Sequence, residues 1–105
     1  MGMFSDTIME WREPNGILDF VFLKEDGIQR TRGKFTHWSS YGSIERCCVD
    51  RAGINPVLRF SPRKKRFFYI LGPVDEVTVS PDISLDAVLG ILRYKGVQVS
   101  AEVKA

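Results

Sequence analysis

The chain has 105 residues, a mass of 12.0 kDa and a formal net charge of +2, with 44% hydrophobic and 27% charged residues. These fractions exclude a disordered tail, a collagen-like repeat and a coiled coil, and the length allows one core rather than two, so a single domain spanning residues 1–105 is expected. The longest apolar runs, Phe20 to Leu23 and Phe67 to Leu71, are too short for a membrane-spanning helix. Met1 to Asp6 lacks the basic and apolar start of a secretory signal, and Asp6 spoils a myristoylation pattern at Gly2. A cytoplasmic protein without a membrane partner is the expectation.

Thr7 to Trp11 reads as a short strand closed by the turn Glu13-Pro14-Asn15-Gly16. Ile17 to Lys24 and Ile28 to Thr36 flank Asp26-Gly27, which predicts a two-residue hairpin whose paired residue numbers sum to 53. That register places Leu18, Phe20, Phe22 and Phe35 on a core face. It leaves Val21 and Leu23 with Arg30, Arg32 and Lys34 on a solvent face. Thr36 to Tyr41 reads as a loop. Ser43 is placed to cap a short helix carrying Ile44, Cys47, Cys48 and Ala52 on one side, stopped by Gly53 and Asn55-Pro56.

A second hairpin is predicted from Val57 to Ser61 and Arg66 to Leu71, with Phe60 against Phe67 and Leu58 against Tyr69, followed by a short strand at Val77 and Val79. Ser84 caps a helix over Leu85 to Lys95, with Leu85, Val88, Leu89 and Leu92 at helical spacing and Gly96 as its stop. Val97, Val99, Ala101 and Val103 alternate with polar residues as a half-buried strand. The expected fold class is α+β: a mostly antiparallel sheet of about six strands with two helices packed against it.

The charge is segregated. From Ile28 to Gly72 ten cations face two acids, a net +8, while the remaining residues hold five cations and eleven acids, a net −6. Such a division points to an anionic partner for the middle unless folding pairs the two signs. The sharpest feature is Arg59-Phe60-Ser61-Pro62-Arg63-Lys64-Lys65-Arg66-Phe67-Phe68, where four consecutive cations can reach phosphates and Phe68 can stack on a base. Arg30, Arg32 and Lys34 alternate along one strand and can extend a basic stripe. Trp38 and Tyr41 are candidate anchors of a protein interface.

No catalytic pattern of nucleophile and base, carboxylate pair or phosphate loop occurs, and His37 beside Ser39 is the one candidate patch for such chemistry. Cys47 and Cys48 are adjacent, so they cannot form an ordinary disulfide within one regular element, and with a single histidine they cannot make a structural zinc site. No metal and no cofactor are expected. The expected function is a small non-catalytic binding protein whose basic middle contacts an anionic partner, nucleic acid or an acidic protein surface. The alternative is a protein interaction module, an inhibitor, an adaptor or a homo-oligomer, that uses the Trp38 and Tyr41 region or an exposed sheet edge and has no nucleic-acid role.

Overall fold

A computed structural model describes residues 5–63 and 73–103. Its described residues form two four-stranded sheets and one α-helix, rather than one sheet of six strands with two helices. The first sheet is an antiparallel meander of β1 (Thr7–Arg12), β2 (Asp19–Lys24), β3 (Gly27–Arg32) and β4 (Phe35–Ser40). A single 3-10 turn, Tyr41–Ser43, leads into the second sheet. That sheet consists of β5 (Ile44–Asp50), β6 (Val57–Pro62), β7 (Glu76–Thr78) and β8 (Gln98–Val103), in the order β7-β6-β5-β8. α1 (Leu85–Tyr94) carries the chain from β7 to the opposite edge, where β8 runs parallel to β5.

One sequence expectation fails at the second sheet. The segment expected as a helix at Ser43 to Ala52 is β5, a central strand. Its buried residues are Ile44, Cys47 and Val49. The three-residue step from Ile44 to Cys47, which imitates helical spacing, arises because the ladder with β6 shifts register between Ile44 and Arg46. From Cys47 onward the burial alternates as in any strand. β6 pairs with β5 and β7, with Leu58 opposite Val77. The expected pairing of Leu58 with Tyr69 and Phe60 with Phe67 falls on residues outside those described.

The β2–β3 hairpin turns one position earlier than expected, at Glu25-Asp26, so its paired numbers sum to 51. Its faces are also exchanged. Val21, Leu23 and Ile28 are fully buried, whereas Leu18 and Phe35 are 60% and 73% exposed. Both faces of β2 are apolar, so periodicity alone does not choose between them. The choice is made by what packs beneath. The inner face of the first sheet carries Trp11, Val21, Leu23 and Ile28, which meet Ile44, Cys47, Val49, Leu58, Val77 and the Val88, Leu89 and Leu92 stripe of α1 in one core.

Side chains from the first sheet hold the two sheets together. Trp11 Nε1 donates to the Thr78 carbonyl at 2.8 Å, and Thr78 N–H donates to Glu13 Oε2 at 2.7 Å. At the other edge, Val74 N–H donates to Ser39 Oγ at 2.8 Å. Four residues of extended chain cover about 13 Å, close to the width of four strands, so the Val74 to Thr78 segment runs across the first sheet from β4 to β1. α1 has the expected cap, Ser84 Oγ accepting from Ala87 N–H at 3.2 Å, and Gly96 takes the positive φ of 91° that ends it. Lys95 Nζ lies 3.0 Å from Glu25 Oε1 and ties the helix end to the β2–β3 turn. None of the described helices is long and apolar enough to cross a membrane.

Candidate functional site

Folding pairs Arg30, Arg32, Arg59, Arg63 and Lys95 with acids or carbonyls. Arg30 is buried, not on a solvent face: its Nε and Nη2 contact the two Glu13 carboxylate oxygens at 2.8 and 3.1 Å. Arg32 lies 3.9 Å from Asp19. Arg59 bridges Glu76 at 2.6 Å and Asp50 at 3.3 Å on the outer face of the second sheet. The Asp50 carboxyl is held below the usual carboxylate range, first by the Ala52 N–H and then by Arg59. Arg63 donates to the Gly42 carbonyl at 3.0 Å. Lys34 is exposed beside Gly33, whose φ of 59° makes the β3–β4 turn. Lys64, Lys65, Arg66 and Phe68 lie outside the described residues. The expected continuous basic stripe is therefore not assembled from Arg30, Arg32, Arg59 and Arg63.

Tyr41 is a core residue, not an exposed anchor. Its hydroxyl donates to the Lys24 carbonyl, and burial, with Glu25 and Asp26 nearby, raises its pKa above the ordinary tyrosine value. The Lys95 ammonium sits 5.8 Å from the centre of the Tyr41 ring. His37 lies on the inner face opposite Arg30, and its Nδ1 is buried without a hydrogen-bond partner among the described residues. Ser39, two residues on, has its oxygen engaged by Val74. Burial, and then Cys48, push the Cys47 thiol up to about 12, so it is not a nucleophile at neutral pH. Among the described residues no group of three or more His, Cys, Asp or Glu side chains is placed to hold a metal ion.

What the sequence reading missed is the outer face of the first sheet. Strand alternation and the observed register place two cross-strand rows there: Glu10, Phe22, Gln29 and Trp38 in one, Arg12, Phe20, Thr31 and Thr36 in the next. Phe20, Phe22 and Trp38 are half-buried and lie outside the core cluster. The Phe20 and Phe22 ring centres are 6.4 Å apart, and the Arg12 guanidinium lies 5.6 Å from the centre of Phe20. The Trp38 indole leans over Gly27, where a Cβ would approach Trp38 Cζ2 to 2.7 Å, so only glycine lets the ring lie there. Arg12 stands on this face against Phe20 and Lys24 at its end, beside the acids Glu10, Glu25 and Asp26. The signal available in the sequence was the alternation of Leu18, Phe20 and Phe22 with Arg12 and Lys24 nearby, once the opposite face is assigned to the core.

The arrangement offers planar apolar surfaces beside positive charge. It holds no acid and base pair. Two grooves flank it elsewhere: one of about 530 Å³ between α1 and the start of β1, lined by Ile8, Ile91 and Tyr94, and one of about 540 Å³ beside Asn15 and Ser80. Comparison with protein-family models, curated proteins and solved structures finds no match to this chain.

Proposed function

We propose that this is a non-catalytic binding protein that takes a single-stranded nucleic acid on the outer face of its first sheet. The observation that carries the reading is the grouping of Phe20, Phe22 and Trp38 on one face with the Arg12 guanidinium against Phe20. Every base has a π-face, so such a platform binds an unpaired strand with little dependence on sequence, and the cations meet its phosphates. A duplex keeps its bases stacked on one another and offers this platform nothing to stack on. Lys64, Lys65, Arg66 and Phe68 belong to this proposal on their sequence alone.

Titration of a fluorescently labelled single-stranded oligonucleotide at rising salt tests it. Three phosphate contacts give a log-log slope of about −2, or roughly a twentyfold loss of affinity between about 50 and 200 mM salt. The variant with Lys64→Glu and Lys65→Glu is expected to lose more than either change alone. Absence of binding to both DNA and RNA single strands at about 50 mM salt overturns the reading. The ion pairing of Arg30, Arg32 and Arg59 favours a second reading, a protein partner bound by the same face. That reading predicts an association governed by the aromatic residues and nearly indifferent to salt.

A further inference from the structure

The phase of the hydrogen bonds in the first sheet has a consequence at β4, an edge strand among the described residues. Gly33 N–H donates to the Leu18 carbonyl, and Tyr41 N–H to the Asp26 carbonyl. In an antiparallel sheet, residues that exchange bonds with one neighbour alternate with residues that point the other way. β3 therefore spends Gly27, Gln29 and Thr31 on β2, and Ile28, Arg30 and Arg32 on β4. Within β4, Phe35, His37 and Ser39 bond to β3, while the N–H and C=O groups of Thr36, Trp38 and Ser40 point outward. Among the described residues β4 pairs with β3 alone.

The two edges of this sheet differ. β1 carries a bulge between Thr7 and Met9, bears Glu10 and Arg12, and is stitched to β7 by Trp11 and Glu13. β4 has an unbroken register over six pairs, no proline, no lysine or arginine and no acid. Its own sequence and register carry none of the charges, prolines or bulges that ordinarily keep an edge from pairing with another strand.

We infer that β4 pairs antiparallel with β4 of a second copy of the chain, with the two-fold axis at Trp38. The outward residues are 36, 38 and 40, a set symmetric about its middle member. A two-fold at Trp38 pairs Thr36 with Ser40 of the second copy and Trp38 with its own counterpart, and so gives partners to the outward N–H groups of Thr36, Trp38 and Ser40 and the carbonyls of Thr36 and Trp38, while the Ser40 carbonyl, which already accepts from Ser43 Oγ at 2.7 Å, receives a second bond. A two-fold at Thr36 or Ser40 engages fewer of them. Because β4 carries no formal charge, the contact opposes no like charges, and a self-complementary edge of this kind is what a two-fold dimer requires. Two strands of six residues cover less than the roughly 1,000 Å² of a stable interface, so the dimer is a weak, concentration-dependent one. The same geometry keeps both Trp38 side chains on one side of the joined sheet, making the two outer faces one continuous surface. The pairing itself stands independently of what that face binds.

Sedimentation of the full chain over a concentration series, without nucleic acid, tests this. Ser40 already has φ −68°, which proline requires, so Ser40→Pro removes an outward N–H without disturbing the strand. By symmetry that change deletes two hydrogen bonds, and the dimer dissociation constant is expected to rise by about tenfold to a hundredfold. Ser40→Ala is expected to leave it unchanged, and the amides of Thr36, Trp38 and Ser40 are expected to gain exchange protection as concentration rises. A chain that stays monomeric at millimolar concentration overturns the inference. So does a dimer that Ser40→Pro does not weaken.

Discussion

Replacing Glu13 with alanine is expected to lower the unfolding free energy by about 3 to 5 kcal/mol, the loss seen when one partner of a buried ion pair is removed. Glu13 is 1% and Arg30 is 6% exposed. Both carboxylate oxygens contact the guanidinium, and one also accepts the Thr78 N–H. Glu13→Ala leaves a buried guanidinium uncompensated and a buried backbone donor without its acceptor. Total stability of a domain this size is about 5 to 15 kcal/mol, so the change removes a large share of it. The pair itself is a weaker stabiliser than that number suggests, since two charges must leave water to form it. The double change Glu13→Met with Arg30→Met is therefore expected to recover much of the loss. Denaturant midpoints at unchanged slope measure both. A Glu13→Ala variant within 1 kcal/mol of the parent would contradict the assignment of Glu13 as a buried partner of both Arg30 and the Thr78 N–H.

Removing the outer aromatics is expected to have its large effect on binding instead. Base stacking on an aromatic side chain contributes about 1 to 3 kcal/mol, so Phe20→Ala with Phe22→Ala is expected to cost at least about thirtyfold in affinity for a single strand. The change also deletes the ring on which the Arg12 guanidinium rests. Stability is expected to move little, because neither ring belongs to the core. Trp38→Ala adds a further loss and uncovers Gly27. The opposite pattern comes from Leu92→Ala, a buried change expected to destabilise by about 2 to 5 kcal/mol while leaving the affinity of folded molecules intact. Oligonucleotide titrations and unfolding curves on the same variants separate the two effects.

The elements legible in the sequence are those fixed by neighbours along the chain. α1 is one: its cap at Ser84, its apolar stripe and the Gly96 stop all lie within thirteen residues. β1 and the turn after it are read the same way. β5 is not, because its parallel partner β8 is distant in sequence and its bulge against β6 mimics a helical step. The face of β2 is illegible for a similar reason. Arg30 and Arg32 beside Val21 and Leu23 mark that face as solvent, and what reverses the reading is Glu13, seventeen residues from Arg30, which neutralises the guanidinium inside the core. The same reversal hid the candidate site. With Phe20 and Phe22 assigned to the core, the aromatic platform disappears from the sequence, and attention moves to cations that the fold pairs with Asp50, Glu76 and Glu13.

The segregation of charge between the middle and the flanks is thus partly undone by folding: Arg30, Arg32 and Arg59 from the middle meet Glu13, Asp19 and Glu76 from the flanks.

Mapping backbone amide shifts on adding a short single-stranded oligonucleotide tests the central claim most directly. The account predicts the largest shifts at Arg12, Phe20, Phe22, Gln29, Thr31 and Trp38. Shifts confined to the second sheet around Arg46, Cys48 and Arg59, or none at low salt, would contradict it.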